Sequence, residues 1–472
     1  MTRKNRSLFI ALIALAAAAA ALIAVKKTGK ESETIPEKQD KTIILSDVPV
    51  EDLRSVILER GPQDTLQLYS NNGTEWLIDD VPEHFRVKDS SVYQLVRSLA
   101  RMRSFTQVEP NAAKKDLKDF GLRPPRASVT LRDKDGGETL IEIGIPSPSG
   151  AGFFARKADS QEIALLSSMT AESVFTKKES LRDMSLPAVQ PQKLTGFSYR
   201  YGNVRMLAEP AGRPHAFSMF PATLDIVAPF QGRYPLDNSE LAAILNEEYP
   251  LPLEAREYLD DLNPEDPQLG LDPETADKLY MVDSDSGVLS LIIGASDGRG
   301  RRYAMLGDRE DSVFLLDEKD VGLITVDPFR LLNKFVFLGS ITKMSRIKVE
   351  QGNQTWVLKR EEFGEPDDID DDQFTINNTR VEPKDFASLY QKFIGIRWEG
   401  QAEKQVKKQA PEIRITVTHS TPGVEKMVVR FWPYDKMYYL VNAGNQPIEF
   451  LAGRYQVERF IEDMKALAAL TG

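Results

Sequence analysis

The sequence predicts an α+β protein with an N-terminal transmembrane helix and three repeated modules, each an antiparallel β meander with one or two helices. Three observations lead to this prediction. Residues Leu8–Val25 form an unbroken apolar run. Residues Arg86–Glu109 match Arg380–Glu403 without a gap. Elsewhere, short runs of alternating polar and apolar residues lie between helical stretches, as is typical of antiparallel strands with segregated helices.

The apolar run indicates a membrane span. It is close to the shortest helix that crosses a bilayer, and basic residues flank it on both sides, namely Arg3, Lys4, Arg6, Lys26, Lys27 and Lys30. A cleaved secretory signal begins in the same way. Leu22, Ile23 and Val25 carry the apolar character up to Lys26, which favours an uncleaved signal-anchor over residues 1–26. A short N-terminus before a large domain predicts a single-pass protein of the cytoplasmic (inner) membrane, with most of the chain extracytoplasmic.

Charge and cysteine content exclude several classes of function. The chain has a formal net charge of −11, and its first thirty residues hold six Lys/Arg and no acid, so the remainder carries −17. Such a domain is repelled by nucleic acid, which excludes a nucleic-acid partner. The chain has no cysteine, so disulfides, thiolate metal sites and cysteine lipidation are excluded.

Self-similarity divides the remaining chain into three modules. Phe153–Leu166 matches Tyr438–Leu451, and both segments are typical of a β-hairpin. A weaker middle copy is located by the match of Gly121 to Gly270 and of Gly144 to Gly294. A copy of about 150 residues is a duplicated domain and not a short solenoid repeat. The predicted organisation is a flexible stalk over 27–47, module 1 over 48–190, a degenerate module 2 over 191–341 and module 3 over 342–472.

Each module is predicted to contain opening strands, a helix, a meander of about four strands and a closing helix. The first helix starts at Asp89 and ends at Leu99, and its counterpart in the middle copy has Asp237 as its N-cap. The last predicted helix spans Gln456–Leu470. The strands predicted in the first copy are Ser55–Arg60, Thr65–Ser70, Glu75–Ile78, Ala127–Arg132, Glu138–Gly144, Gly152–Arg156 and Glu162–Leu166.

Four residues that the repeat places at matched positions are candidates for an interaction site. Arg103 and Arg397 follow the matched helices, and such arginines bind anions or carboxylates. The favoured alternative is a charge at the helix C-terminus or an internal salt bridge. Trp76 and Trp356 precede the helices, and a core position is favoured over a ligand platform.

Other polar features give no catalytic or metal-binding set. His84, His215 and His419 lie at unrelated positions without a second ligand at metal spacing. The acidic run Glu361–Asp372 lacks the glycine and glutamate of an EF-hand, which favours a solvated loop. Gly294–Gly300 has no following helix and is interpreted as a turn of the meander. No catalytic residue, cofactor or metal is therefore predicted, and the protein is expected not to be an enzyme.

Several segments resemble a known family. They are TEWLI, LVRSLARMRSF, DFGLRPPRASVTLRD, LIEIG and GFFAR, all within Val48–Leu186. With the N-terminal anchor, they resemble the bacterial proteins of domain-of-unknown-function family 4340. The resemblance implies a membrane-anchored, extracytoplasmic protein, often associated with ABC-type transport systems of the gliding-motility or auxiliary type. It implies no catalytic residues.

The leading functional hypothesis is a non-enzymatic accessory or scaffold protein, anchored by its N-terminal helix beside ABC transporter subunits or other envelope proteins. The alternative is an extracytoplasmic protein that binds envelope glycan or a small solute. A hydrolase acting through carboxylates is the third hypothesis, and it requires two acids that converge in a cleft.

Overall fold

The computed structural model describes residues 42–111, 116–212, 222–249, 251–363, 368–403, 410–420 and 426–470. The predicted membrane span, most of the predicted stalk and His215 lie outside these residues. No helix in the described part of the chain is long and apolar enough to cross a membrane. The chain divides into two compact units between Asp183 and Met184.

The first unit contains ten strands and two α-helices in its described part. The strands are β1 (Ile43–Ile44), β2 (Leu53–Glu59), β3 (Thr65–Tyr69), β4 (Leu77–Ile78), β5 (Arg103–Ser104), β6 (Gln107–Glu109), β7 (Ala127–Asp133), β8 (Glu138–Pro146), β9 (Gly152–Lys157) and β10 (Ile163–Ser167). The helices are α1 (Asp89–Ala100) and α2 (Ser168–Ser173), with 3₁₀ turns at Val50–Asp52, Leu117–Phe120 and Lys178–Leu181.

The first sheet has the strand order β4-β3-β2-β7-β8-β9-β10-β6, and β1 pairs separately with β5. Helix α1 forms because Val92, Leu95, Val96 and Leu99 recur at helical spacing, and this apolar stripe is buried in the unit's core. Ile43 pairs with Ser104, and Leu45 is buried. The stalk predicted over 27–47 therefore ends earlier than expected, because its last residues belong to the folded unit.

The second unit holds two large sheets over one continuous apolar core. The second sheet has the order β14-β13-β12-β11-β16-β17-β18-β19-β15. Its strands are β11 (Leu194–Tyr201), β12 (Val204–Pro210), β13 (Leu224–Ala228), β14 (Tyr234–Pro235), β15 (Glu257–Tyr258), β16 (Asp277–Asp283), β17 (Val288–Ser296), β18 (Arg301–Leu306) and β19 (Arg309–Asp317). Helix α3 (Asn238–Ala243) continues as a π-helical turn, Ile244–Glu248. Asp237 caps α3 as predicted, accepting hydrogen bonds from the amides of Ser239 and Glu240.

The third sheet has the order β23-β22-β21-β20-β25-β26-β27-β28-β24. Its strands are β20 (Met344–Gln351), β21 (Gln354–Glu361), β22 (Gln373–Ile376), β23 (Thr379–Val381), β24 (Trp398–Gln401), β25 (Ile413–His419), β26 (Met427–Pro433), β27 (Tyr438–Ala443) and β28 (Phe450–Gly453). The helices are α4 (Pro383–Ile394) and α5 (Arg454–Leu470). The unit's 3₁₀ turns are Pro191–Lys193, Pro267–Leu269, Gly322–Thr325 and Ile341–Lys343.

The three large sheets share one pattern of strand connection. In each, the opening strand pairs with the first strand of the meander, as β2–β7, β11–β16 and β20–β25. In each, the strand that follows the helix forms the far edge, as β6, β15 and β24. The predominantly antiparallel α+β class predicted from the sequence is thus confirmed.

Candidate functional site

Each large sheet has one face toward the core and one face away from it. In the third sheet, Ile347 and Val349 point inward and are buried. Helix α4 packs on this inward side, where the rings of Phe374 and Phe386 stack with centroids 4.3 Å apart. Because side chains alternate along a strand, the residues between these inward positions form the outward face. Small apolar clusters cover part of this outward face in the first and second sheets, as with Leu122 and Ile163 in the first and Leu271 and Ile292 in the second.

The outward face of the third sheet carries six basic side chains, one of which, Arg380, lies on the edge strand β23. The other five lie on four adjacent strands, and we call these five the basic face. Its members are Lys359 on β21, Arg346 and Lys348 on β20, Arg414 on β25 and Arg430 on β26. Arg346 lies directly opposite Lys359, and Arg414 lies directly opposite Arg430. Like charges at directly opposed positions of a sheet destabilise the strand pair. The fold therefore carries two unfavourable pairs on one surface.

Three of these residues have polar neighbours. Lys348 Nζ lies 2.6 Å from a carboxylate oxygen of Glu350, and Arg430 donates to Asn442 Oδ1 at 2.8 Å. Lys359 reaches Asn378 Oδ1 at 3.4 Å. Arg346 and Arg414 are exposed and form no ion pair or side-chain hydrogen bond with other described residues. Of the five, these two present their guanidinium groups most openly to solvent.

The other two sheets lack this basic set at the corresponding positions. The strand register gives the residues that correspond, in order, to Arg346, Lys348, Arg414 and Arg430. In the first sheet they are Ser55, Ile57, Ser128 and Glu142. In the second sheet they are Gly196, Ser198, Lys278 and Ile292. The second sheet's outward face combines basic and apolar residues: Arg200 lies directly opposite Arg205 and Lys278. Leu207, Tyr280 and Val288 on this face are each more than a third exposed. The shared fold therefore does not require the positive charges.

The two candidate arginines occupy different surroundings. Arg103 lies in β5, and its Nη2 atom is 3.1 Å from Asp47 Oδ1 in an exposed ion pair. The Arg397 guanidinium lies over the ring of Phe335, 4.5 Å from its centroid, and its backbone N–H donates to Gln456 Oε1. A salt bridge was the expected structural alternative for both, and only Arg103 shows one among the described residues. Arg103 belongs to the first unit and Arg397 to the second.

The two candidate tryptophans are both buried, but their predicted equivalence is wrong. Trp76 precedes β4, whereas Trp356 lies within β21, paired with Val349. Strand β21 corresponds to β3, so the two residues come from different strands of the pattern. Lys465 Nζ lies 5.1 Å from the Trp356 ring centroid, which adds a cation–π contact to its core packing.

The acidic run Glu361–Asp372 is not solvated throughout. Asp372 is buried and lies 2.5 Å from Arg360 Nε. Residues 364–367 lie outside the described part of the chain. Among the described residues, no group of three or more histidine, cysteine, aspartate or glutamate side chains could hold a metal ion.

Sequence reasoning missed the basic face, although one signal for it was present. Arg346 and Lys348 alternate with Ile347 and Val349 along one strand, so both basic side chains must leave the core face. The register that brings Arg414 and Arg430 beside them depends on pairing between distant segments. Nothing local in the sequence gives that register.

The fold is that of a protein built from repeated antiparallel sheets. The sheets differ from one another in the side chains on their outward faces. The sequence matches the family described as Domain of unknown function (DUF4340) over residues 81–216 and 227–410, which is more than half of the chain. The protein therefore belongs to this family. A comparison with curated proteins gave no match.

Proposed function

We propose that the protein is a non-enzymatic, membrane-anchored, extracytoplasmic scaffold composed of three copies of one module. The outward sheet faces would bind the exposed part of a membrane complex. The N-terminal apolar run with its basic flanks supports the anchor. The repeated strand pattern supports the three modules.

The observation that carries this proposal is the divergence of the outward faces on one conserved strand pattern. Position for position, serine, isoleucine and glutamate in the first sheet are replaced by basic residues in the third. The inward faces remain apolar in all three sheets. Divergent outward faces on sheets whose inward faces stay apolar are what separate binding roles for the three sheets would produce.

The proposed partner is an ABC-type transport complex. This part rests on the family resemblance, and the anchor supports it because a tethered domain acts at high effective concentration on neighbouring membrane proteins. The test is cross-linking of the full-length protein in its native membrane, followed by affinity capture and mass spectrometry. Transporter subunits are expected among the captured proteins. Repeated capture without any transporter subunit would refute this partner.

A cluster of aromatic and charged residues favours ligand binding as the second candidate function. The Arg454 guanidinium lies 4.3 Å from the ring centroid of Tyr439, whose hydroxyl is 3.0 Å from Glu412 Oε1. Burial raises the pKa of Tyr439, and Glu412 raises it further, so the hydroxyl stays protonated. Tyr455 donates to Glu399 at 2.6 Å.

Tyr439 is buried, whereas the Tyr455 ring is 67% exposed beside Glu399, and an exposed ring beside a carboxylate is suited to a sugar. The test of this second candidate is calorimetric titration of the full chain with envelope glycan fragments. Binding that Tyr455→Ala abolishes is the expected result, whereas the absence of heat with every fragment would reject it.

A further inference from the structure

We propose that the basic face of the third sheet docks an acidic segment of a partner protein. The face combines Arg346, Lys348, Lys359, Arg414 and Arg430 on four neighbouring strands. This inference rests on the proposed scaffold function only in taking the occupant to be a protein.

The basic face opposes like charges. The pairs Arg346–Lys359 and Arg414–Arg430 are directly opposed across neighbouring strands, an arrangement that costs stability, and the opposed pair Glu350–Arg414 offsets only part of that cost. In the first sheet the positions of Arg346 and Arg414 are occupied by Ser55 and Ser128, which carry no charge. The second sheet also opposes like charges, but there Arg200 donates to the carbonyl oxygens of Glu274 and Ala276. Opposed charges without such bonds to the described residues are expected where the charges bind something.

The basic face is positive on a chain that is negative overall. The chain has a net charge of −11, yet this face holds five basic side chains, and the acids beside them are Glu350, directly opposite Arg414, and Glu361, two residues along β21 from Lys359. Exposed arginines at fixed spacing on a rigid sheet recognise carboxylates through paired, charge-assisted hydrogen bonds. Arg346 and Arg414 are exposed and make no such bond to other described residues. The ligand chemistry is therefore anionic, and carboxylate suits it.

The size of the basic face limits what can occupy it. Four strands spaced about 4.8 Å apart give a width of about 14 Å, and four residues along β20 give a length of about 13 Å. A few residues of extended acidic peptide fill this area. A long polyanion or an anionic membrane would extend beyond the face over a chain whose net charge is −11, and repulsion acts within a screening length of about 8–10 Å. A short acidic segment fits best.

The test uses the full-length protein in detergent and a fluorescein-labelled peptide of alternating Glu and Ser, followed by fluorescence anisotropy. We expect salt-sensitive binding of this peptide and none of a matched Gln/Ser peptide. The variant Arg346→Ser/Arg414→Ser introduces the first sheet's own residues and should bind roughly tenfold more weakly. Arg346→Lys/Arg414→Lys, which keeps the charges but loses the paired donors of the guanidinium groups, should bind more weakly than the wild type and more tightly than the serine variant.

The control variant is Arg299→Ser/Lys319→Ser, which removes the same charge from exposed positions elsewhere in the second unit and should bind normally. The melting temperature of Arg346→Ser/Arg414→Ser should equal or exceed that of the wild type, because two like-charge pairs are relieved. A lower melting temperature would mean that the arginines serve the fold, and would overturn the proposal. Unchanged affinity of this variant would also overturn it.

Tighter binding of single-stranded DNA or of phosphatidylglycerol vesicles through the same arginines would assign the face to another class of partner. Self-association that depends on these arginines would assign it to a second copy of this chain. Either result rejects the proposal. Failure to capture transporter subunits, with peptide binding intact, would refute the proposed transport complex and leave the basic face standing.

Discussion

Arg360 and Asp372 form an ion pair at the two ends of the acidic run Glu361–Asp372. Both side chains are almost fully buried, and Asp372 also accepts a hydrogen bond from the amide of Phe363 at 3.0 Å. Removing one partner of a buried ion pair leaves an uncompensated charge, so this pair fixes both ends of the run to the third sheet. The aspartate that would complete an alternating calcium ligand set is already engaged with arginine.

His419 gives the protein a predictable response to pH. Its Nδ1 atom is buried without a hydrogen-bond partner among the described residues, and burial lowers the pKa of its imidazole below 6.5. The unfolded chain therefore binds a proton at a pH where the folded chain does not, and stability falls as pH drops through about 6.5. In urea denaturation, the unfolding free energy of the wild type should fall more between pH 7 and pH 5.5 than that of His419→Gln.

The control for this prediction is His84→Gln in the first unit, which should leave the pH dependence of the second unit unchanged. Identical pH profiles for the wild type and His419→Gln would contradict the prediction.

Two matched pairs of glycines occupy equivalent positions in the first and second sheets. Gly121 and Gly270 end short 3₁₀ turns in the left-handed conformation, each with φ of 64°. Gly144 and Gly294 lie in the neighbouring strand, where the carbonyl oxygens of Phe120 and Leu269 approach so closely that a Cβ atom would clash. The sequence matched both pairs correctly, because a close backbone approach leaves glycine as the residue that fits.

Gly294→Ala tests this packing. Its Cβ atom would lie 2.1 Å from the Leu269 carbonyl oxygen, so a backbone must move. We expect a loss of about 2 to 3 kcal/mol in the unfolding free energy, as for overpacked positions. Gly400→Ala, also in a strand but with no atom within 4 Å of the added carbon, should change stability by less than about 0.5 kcal/mol. Equal effects in chemical denaturation would show that the close approach is unimportant.

Elements with local signals were predictable, and contacts between distant elements were not. Helix α5 was predicted from Gln456 to Leu470 and begins two residues earlier, at Arg454. The hairpin β9–β10 was predicted from alternation and turn residues and is confirmed. Trp76 and Trp356 were equated because both precede a helix, but an additional strand in the third sheet separates their positions. The basic face escaped prediction for the same reason, since long-range register created it.

At the scale of the whole molecule, the second and third sheets are joined by a buried polar contact inside a cluster of aromatic rings. The Glu449 carboxylate is 4% exposed. It accepts hydrogen bonds from the amides of Gln231 and Gly232 and from the Tyr234 hydroxyl, the last at 2.7 Å. Tyr234 also packs edge-on against Trp398, with ring centroids 5.3 Å apart. The two sheets of the second unit should consequently unfold together.

Glu449→Gln tests that cooperativity. The amide would turn an N–H group toward donors that now meet a carboxylate, so at least one buried donor loses its acceptor. Since hydrogen bonds to charged groups contribute about 1.5–3 kcal/mol each, we expect the second unit to lose roughly 2 to 3 kcal/mol. Hydrogen exchange should show the loss throughout residues 184–472 and leave the first unit unchanged. Glu462→Gln, at an exposed position of α5, serves as the control. Loss of protection confined to the second sheet would mean that the two sheets unfold independently and that Glu449 acts only locally.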